Sequence, residues 1–444
     1  MPRRVVVLGA GVTGEAFLAA LAKLEPETEI TVVERELAGG ECSYWACIPS
    51  KTLLRPLEVL HRARLTPGVS EAIAEVDVDA LFAWRDFMAG KDDTSQVEWV
   101  EKEGGRFVRG EGVVREPGLV TVGDEELPYD ALLVATGSAP VIPPIEGLAS
   151  SPHWTSRDAT SASAVPESLV VVGGGAVGCE LAQLYARLGS KVTLVQGGPR
   201  LLPQIDPEVV ALLAAQLEED GVDIRFDAKA AAVEGGGNAP FRLELEGSDA
   251  VEAERLLIAT GRRPNVDGFG LENLELTFER QGIKVDDHLV AGENVWAAGD
   301  VTGVALFTHV GKYQGRIAAK NVAGGDRRAD YRAIPAAVFT DPQVAVAGDT
   351  SGEGTVSSSW PLGSVSRTGT YQRPKQPGLV KLFADPKKGV LVGAAAVGPE
   401  SGEWIGQLTL AIRAEVPVEI LRDTIQPFPT FSEAIFFAAR DLEL

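Results

Sequence analysis

The sequence has few cysteines and a deficit of positive charge, and no apolar run is long enough to form a membrane-spanning helix. Its 444 residues include three cysteines, and 63 acidic residues outnumber 41 basic ones, which gives a formal charge of -22. A surface this acidic repels nucleic acids and anionic membranes, so neither is expected as a partner. A membrane helix needs about 20 apolar residues in succession, and no segment approaches that length.

Size and cysteine usage indicate the broad class of the protein. A chain of 444 residues with 45% hydrophobic residues is too long for one ordinary core, so two or three globular domains are expected. The apolar run Val5–Leu8 is too short for the core of a signal peptide. We therefore expect a cytoplasmic protein, and in that reducing compartment a disulfide is catalytic rather than structural.

Two of the three cysteines, Cys42 and Cys47, lie in the string GGECSYWACIPSK. In a regular helix the five steps between them would span about 7.5 Å, which is at the limit of the reach of a disulfide. The backbone between the two cysteines is therefore predicted to be irregular.

Pro49 indicates where a regular helix resumes. Proline is tolerated in the first turn of a helix, so the helix is predicted to begin near Ile48, with Cys47 at its positive N-terminal end. That position stabilises a thiolate, and Lys51 adds a positive charge one turn later. These residues alone fit a redox-active disulfide, a structural disulfide or two buried thiols.

The first of two dinucleotide-binding patterns lies at the N-terminus. An apolar strand is followed by Gly9, Gly11 and Gly14, and then by an apolar helix. Such glycines allow a tight turn and the close approach of a pyrophosphate to the helix. The next predicted strand ends at Glu34, whose carboxylate can accept a hydrogen bond from a ribose hydroxyl.

The second pattern carries Gly173, Gly175 and Gly178, and it indicates an internal repeat of the same fold. Two such sites in one chain imply two different dinucleotides. The second predicted strand of this copy ends at Gln196 instead of an acid, so a 2′-phosphate would not be repelled. Arg200 can reach such a phosphate, although a solvated loop charge explains it equally well. NADPH is therefore permitted.

The string that contains Cys42 and Cys47 resembles the redox-active segment of the pyridine nucleotide-disulfide oxidoreductases, the flavoprotein family of dihydrolipoamide dehydrogenase, glutathione reductase and mercuric reductase. The resemblance implies a redox-active disulfide, FAD at the first dinucleotide site, and NADPH or NADH at the second. Hydride would pass from nicotinamide to flavin and then to the disulfide, with Cys47 as the flavin-facing thiolate and Cys42 as the interchange thiol. Glu180 would pair with Lys51 beside the flavin. No metal site is implied.

The resemblance also predicts the architecture, which is α/β, with two Rossmann-like dinucleotide-binding domains and a C-terminal α+β dimerisation domain. The FAD domain is expected in two parts, 1–148 and 265–332, around an NAD(P) domain at 149–264. Residues 333–444 would form the interface of a homodimer. The segment 52–109 is predicted to be mostly helical, from its spacing of apolar residues.

Further cofactor-binding residues follow from the same resemblance. Thr136 and Gly137 belong to one Ala-Thr-Gly turn, and Gly261 ends another. Asp300 is expected to bind the ribityl chain of FAD, although it could instead cap the following helix. His309 is expected near the flavin ring.

The resemblance breaks near the C-terminus. Relatives that reduce small disulfides carry His-Pro-Thr and a following glutamate there, and the C-terminal segment of one subunit completes the disulfide site of the other. Phe428 occupies the histidine position in this chain, whereas Glu433 remains. The expected acceptor is a small-molecule disulfide; a quinone or another non-disulfide acceptor, and a flavin-binding protein without turnover, stay open as alternatives.

Overall fold

The computed structural model describes residues 2–69, 75–237, 239–372 and 378–444. Its helices are α1 Val12–Leu24, α2 Gly40–Tyr44, α3 Cys47–Leu65, α4 Val78–Met88, α5 Thr94–Lys102, α6 Ser156–Thr160, α7 Ala176–Arg187, α8 Pro207–Glu219, α9 Thr308–Val322, α10 Ser366–Tyr371, α11 Ser401–Arg413, α12 Val418–Asp423 and α13 Glu433–Arg440.

The strands in the first half of the chain are β1 Arg4–Leu8, β2 Glu29–Glu34, β3 Gly105–Arg109, β4 Gly112–Glu116, β5 Leu119–Val122, β6 Glu125–Pro128, β7 Ala131–Val134, β8 Ser138–Pro140, β9 Ser168–Val172, β10 Lys191–Val195 and β11 Asp223–Arg225. Those in the second half are β12 Lys229–Gly236, β13 Ala239–Glu246, β14 Ser248–Ala253, β15 Arg255–Ile258, β16 Arg262–Pro264, β17 Phe278–Glu279, β18 Gly282–Ile283, β19 Val290–Gly292, β20 Val295–Ala297, β21 Pro335–Val338, β22 Gln343–Gly348, β23 Val356–Pro361, β24 Leu379–Asp385 and β25 Val390–Gly398.

The first compact unit comprises Met1–Pro49, Asp86–Val141 and Gly261–Asp330. Its main sheet has the strand order β19-β20-β7-β1-β2-β3, and β1 pairs in parallel with both β2 and β7. Every residue of β7 is buried, as expected for a parallel strand that is covered on both faces. Helices α1 and α9 pack against each other beside this sheet.

The second compact unit comprises Ser50–Arg85, Ile142–Thr260 and Tyr331–Leu444. It contains a parallel sheet of order β11-β10-β9-β15, which repeats the order β3-β2-β1-β7 of the first unit. It also contains the antiparallel sheet β21-β22-β25-β24-β23, against which α11 and α13 pack. The predicted fold class is confirmed, whereas the predicted domain boundaries stay a prediction.

The prediction of helix over 52–109 is correct for most of the segment and wrong at its end. Helices α3, α4 and α5 lie there, but 105–109 form β3, which pairs with β2. Residues 70–74 of this segment lie outside the described residues. Among the described residues, no helix is long and apolar enough to cross a membrane.

A buried ion cluster in the second unit joins α3, α7 and the loop after β21. Asp341, whose side chain is 3% exposed, lies 2.9 Å from the guanidinium of Arg62 and 3.0 Å from that of Arg187. The contact with Arg62 lacks hydrogen-bond alignment, so its attraction is Coulombic. Arg187 also pairs with Asp220 at 3.1 Å. Burial, followed by the charge of Arg187, lowers the pKa of the neighbouring His61, which favours its neutral form.

This cluster predicts a large stability effect at one position. Replacing Asp341 with alanine leaves two largely buried guanidinium groups without their shared partner, a change that typically costs about 3–5 kcal/mol. Urea unfolding of Asp341→Ala should therefore show a clearly lower midpoint than the wild type. Asp249→Ala is the control, because Asp249 is exposed in β14. Equal midpoints for the two variants would contradict a stabilising role for the cluster.

Candidate functional site

The glycines of the first fingerprint have two different roles. Gly9 has a φ of +110°, and a Cβ there would lie 2.3 Å from the carbonyl oxygen of Ala135. A Cβ on Gly14 would lie 2.1 Å from the carbonyl oxygen of Gly9. At Gly11, which caps the N-terminus of α1, the nearest atom to a Cβ would be 3.9 Å away. Gly9 and Gly14 therefore allow the protein to pack against itself, whereas Gly11 leaves space at the helix start.

The second fingerprint repeats this arrangement within its own unit. Gly173 has a φ of +114°, and a Cβ there would lie 2.4 Å from the carbonyl oxygen of Ala259. A Cβ on Gly178 would lie 1.8 Å from the carbonyl oxygen of Gly173. In the described part of the chain, a Cβ built on Gly175, at the start of α7, would meet nothing within 4 Å beyond its own helix and neighbours. Each fingerprint thus leaves open space at a helix N-terminus.

Glu34 and Gln196 occupy matching positions in the two copies. Oε2 of Glu34 accepts a hydrogen bond from the backbone amide of Ala10 at 3.0 Å. Oε1 of Gln196 accepts one from the backbone amide of Gly174 at 2.9 Å. Both side chains therefore lie directly beside the middle residue of a glycine turn. The exposed Arg200 donates to the carbonyl oxygen of Pro203 at 2.7 Å.

These features fit the two dinucleotides that the sequence implies. Open space at a helix N-terminus lets a pyrophosphate approach the backbone N–H groups and the positive end of the dipole. The first copy offers a carboxylate for ribose hydroxyls, and the second offers an uncharged amide. In the first unit, the open backbone at Gly11 and the carboxylate of Glu34 would hold FAD. In the second, Gly175 and Gln196 would hold the nicotinamide dinucleotide.

The residues of the Ala-Thr-Gly turns lie beside open space. The Thr136 hydroxyl donates to the carbonyl oxygen of Asn265 at 2.6 Å, and the Asn265 amide donates back to the carbonyl of Thr136 at 3.0 Å. Gly137 and Gly261 have φ values of +72° and +118°, and a Cβ at either position would meet no atom within 4 Å. Both backbones are thus accessible to a ligand.

Asp300 follows β20 and is held by a side chain from another strand. The hydroxyl of Ser138 donates to its Oδ2 at 2.6 Å. Burial raises the pKa of Asp300, and the bond from Ser138 and the charge of Arg262 oppose that rise. Asp300 is the first residue of a short 3-10 helix whose N-cap is Gly299, and the N-cap of α9 is Phe307. His309 is the second residue of α9, and its ring stacks on Phe307 with centroids 5.3 Å apart.

The two cysteines lie at the break between α2 and α3. Cys42 belongs to α2, which ends at Tyr44, and Cys47 begins α3, so the backbone between them is irregular as the spacing predicts. Neither sulfur is in a disulfide, and Sγ of Cys47 lies 3.3 Å from the hydroxyl oxygen of Thr308. A hydrogen bond to Cys47, together with burial, raises the pKa of the Cys42 thiol, and a bond to Thr308 partly opposes the rise. Cys42 therefore holds its proton more firmly than an ordinary cysteine thiol.

Lys51 and Glu180 form an ion pair in the second unit. Nζ of Lys51 lies 2.7 Å from Oε2 of Glu180, whose side chain is 7% exposed. The backbone amide of Phe339 donates to the other carboxylate oxygen at 2.8 Å. Nζ of Lys51 also lies 4.8 Å from the centre of the Phe339 ring. Three contacts therefore fix the ammonium group and the carboxylate.

The C-terminal segment places an aromatic ring in solvent. Phe428 is 71% exposed, and Glu433 is the first residue of α13. Exposure at this level is unusual for phenylalanine, and it leaves the ring available for contact with another molecule.

Sequence reasoning missed three residues of the first unit. Thr308 contacts the cysteine pair, Ser138 holds Asp300, and Arg262 donates to Ser138. A partial signal exists for each, because Thr308 and Ser138 directly adjoin predicted residues and Arg262 follows Gly261. Only the fold shows that their side chains turn toward the site residues.

Comparison with known proteins covers nearly the whole chain. The family described as pyridine nucleotide-disulphide oxidoreductase matches residues 3–324, and its dimerisation domain matches residues 334–439. Mercuric reductase of Acidithiobacillus ferrooxidans is 33% identical, covering 98% of this chain and 82% of that protein. Dihydrolipoyl dehydrogenase 2 of Haloarcula marismortui is also 33% identical, covering 98% of this chain and 95% of that protein.

Solved structures agree with these matches. The HOCl-induced flavoprotein disulfide reductase RclA of Escherichia coli superposes with a TM-score of 0.87 at 25% identity, covering 99% of this chain and 100% of that one. LpdA of Mycobacterium tuberculosis gives a TM-score of 0.87 at 28% identity, covering 99% of both chains. The chain therefore belongs to the pyridine nucleotide-disulphide oxidoreductase family, whose members are FAD-dependent enzymes that use NAD(P)H.

Proposed function

We propose that this enzyme transfers electrons from NADPH or NADH through FAD to the Cys42–Cys47 pair, and from there to a small-molecule disulfide. The observation that carries the proposal is the contact of the two thiols with each other and with Thr308, the first residue of α9. When bound, FAD supplies the two-electron chemistry that links the nicotinamide to the sulfurs. Two electrons and two protons convert the disulfide to the dithiol.

The two sulfurs have different tasks in this proposal. Cys47 lies at the N-terminal end of α3, where the helix dipole stabilises a thiolate, so it carries the negative charge of the reduced pair. Cys42 attacks the substrate disulfide, which gives a mixed disulfide and a leaving thiolate. Cys47 then displaces the second substrate thiolate and restores the Cys42–Cys47 bond. The Cys42 proton must leave before the attack, because only a thiolate is nucleophilic.

Lys51 and Glu180 are proposed to set the charge beside the flavin. The carboxylate of Glu180 fixes the direction of the Lys51 ammonium group. Lys51 also follows Cys47 by one turn of the same helix. A fixed cation there would favour negative charge on its neighbours without any rearrangement during the reaction.

Phe428 supports a second candidate acceptor, a quinone or another aromatic compound. Phenylalanine cannot carry a proton, so the step that needs deprotonated Cys42 lacks the histidine of relatives that reduce small disulfides. An exposed aromatic ring can instead stack on an aromatic acceptor. Glu433, the first residue of α13, is proposed to take up the proton instead.

The C-terminal domain is proposed to form a homodimer. Among the described residues of the matched dimerisation domain, Leu410 is 68% exposed in the single chain, Ile425 is 95% exposed and Phe428 is 71% exposed. Burial of such side chains against a second copy would remove apolar area from water. In this arrangement Phe428 and Glu433 of one subunit would complete the disulfide site of the other.

Gln196 generates a prediction about nucleotide selectivity. The enzyme should accept NADPH at least as well as NADH, because no acid opposes the 2′-phosphate. Gln196→Glu should weaken NADPH about tenfold or more and leave NADH nearly unchanged, since like charges about 4 Å apart repel by about 1–4 kcal/mol. Anaerobic flavin reduction by each nucleotide measures both effects. Gln204→Glu adds the same charge at an exposed position and serves as the control.

Two outcomes would contradict the placement of the ribose at Gln196. One is a wild-type enzyme with strong preference for NADH that Gln196→Arg does not reduce. The other is an equal loss of NADPH affinity in Gln196→Glu and Gln204→Glu. If neither nucleotide bleaches the flavin, the chain is a flavin-binding protein without turnover.

The sulfur assignment generates a spectroscopic prediction. Two-electron reduction should give a long-wavelength absorption band that depends on the Cys47 thiolate. Cys47→Ser should abolish the band, and Cys42→Ser should retain it. Cys179→Ala is the matched control, since Cys179 is fully buried and burial raises its pKa to about 12. Loss of the band in Cys42→Ser alone would reverse the assignment.

Phe428 generates a prediction about the two half-reactions. Flavin reduction by the nicotinamide should be fast, because it needs no acid or base at Cys42. Turnover of lipoamide or glutathione disulfide should be slow, since a positioned acid–base group typically contributes about 10²–10⁴-fold in rate. Phe428→His should raise only the second rate in stopped-flow measurements, whereas Phe428→Leu should not. Fast turnover of either disulfide by the wild type would contradict this consequence of Phe428, because another group would then handle proton transfer at Cys42.

A further inference from the structure

A line of four side chains in the first unit runs from the redox segment to Asp300. The guanidinium of Arg262 is its centre. Nη1 of Arg262 donates to Oε1 of Glu41 at 3.3 Å, and Nε donates to the hydroxyl of Ser138 at 2.8 Å. Nη2 donates to the backbone carbonyl of Ser138 at 2.7 Å. The Ser138 hydroxyl then donates to Asp300 at 2.6 Å.

The two ends of this line belong to different parts of the proposed chemistry. Glu41 lies in α2 and directly precedes Cys42. Asp300 lies after β20, on the turn that begins at Gly299. If the Glu41 carboxylate moves, its contact with the Arg262 guanidinium must lengthen. If the Asp300 carboxylate moves, its contact with the Ser138 hydroxyl must lengthen.

The contacts of Arg262 require a specific geometry, which another side chain could not easily supply. Arginine presents a planar fork of donors, and here three of its nitrogens serve three acceptors. Arg262 and Glu41 are only 21% and 22% exposed, so solvent competes weakly for their contact. The positive charge of Arg262 also offsets the repulsion between the carboxylates of Glu41 and Asp300, which influence one another electrostatically. A lysine could supply the charge, but it could not make all three contacts.

We propose that Arg262 is a positioning residue that couples the redox segment to Asp300, so that binding of the cofactor at Asp300 also fixes α2 and Cys42. The proposal rests on the proposed function, in which Cys42 is the interchange thiol. Ser138 transmits the coupling, because its hydroxyl accepts from Arg262 and donates to Asp300. Glu41 is the residue of the redox segment on which this coupling acts.

The test uses the FAD-loaded enzyme with saturating FAD and needs no substrate turnover. Hydrogen exchange of the α2 amides is measured in the wild type, Arg262→Ala, Arg262→Lys and Ser138→Ala. Exchange should become about tenfold to a hundredfold faster in Arg262→Ala, the effect of losing one hydrogen bond to a charged group. Arg262→Lys should recover part of the protection. Arg263→Ala is the matched control, because Arg263 is an exposed neighbour in β16.

A double-mutant cycle separates coupling from simple support of the fold. Glu41→Gln and Asp300→Asn are combined, and the dissociation constant of FAD is measured for each variant. Their effects should be clearly more non-additive in the wild-type background than when Arg262 is alanine, because only the direct repulsion of the two carboxylates then couples them.

Three results would overturn the proposal. These are additive effects of Glu41→Gln and Asp300→Asn in the wild-type background, unchanged α2 exchange in both Arg262→Lys and Ser138→Ala, and equal effects of Arg262→Ala and Arg263→Ala. The Ser138→Ala variant keeps Arg262, so the proposal can still be tested if Arg262→Ala fails to fold. If Cys42 is not the interchange thiol, the exchange and FAD measurements still report the coupling, and failure of the proposed function is recognised separately.

Discussion

The architecture depends on one close backbone contact that is made twice. In each parallel sheet, the first glycine of the fingerprint lies against the carbonyl of an alanine that ends a neighbouring strand, Gly9 against Ala135 and Gly173 against Ala259. Any side chain at either glycine would collide with that carbonyl. The contact brings the strand ends and the helix N-terminus together, and the open positions at Gly11 and Gly175 follow from it. The Ala-Thr-Gly turns are therefore the structural counterparts of the glycine fingerprints.

The electrostatics of the redox segment favour an unequal pair of thiols. Cys47 lies at the positive end of α3 and contacts Thr308, whereas its hydrogen bond to Cys42, together with burial, raises the pKa of the Cys42 thiol. Such an arrangement suits a pair in which one sulfur holds charge and the other exchanges with a substrate. In the proposed reaction, turnover then depends on removal of the Cys42 proton. The exposed Phe428 cannot provide that removal, so the choice of acceptor depends on how this proton leaves.

The comparison of the two dinucleotide copies explains why nucleotide selectivity is proposed to lie in a single side chain. Glu34 and Gln196 make the same hydrogen bond to the same position of each glycine turn. The backbone arrangement around Glu34 is repeated around Gln196, whereas the charges of the two side chains differ. A carboxylate suits ribose hydroxyls and opposes a phosphate, whereas an amide is indifferent to the charge.

The sequence by itself determined the features that depend on local backbone geometry. The glycine spacings predicted both fingerprints, and Pro49 predicted where α3 begins to within one residue. The motif around Cys42 and Cys47 was enough to indicate the family, because few strings of that length combine two cysteines with that helix start.

The tertiary structure decided the features that depend on contacts between distant segments. The strand β3 at 105–109 was missed, because its residues pair with β2 across a long separation in sequence. The partners of Asp341, and the line from Glu41 through Arg262 to Asp300, could not be predicted for the same reason. Local propensity acts over a few residues, whereas the position of a guanidinium between two carboxylates is fixed by how strands and loops from different parts of the chain are packed.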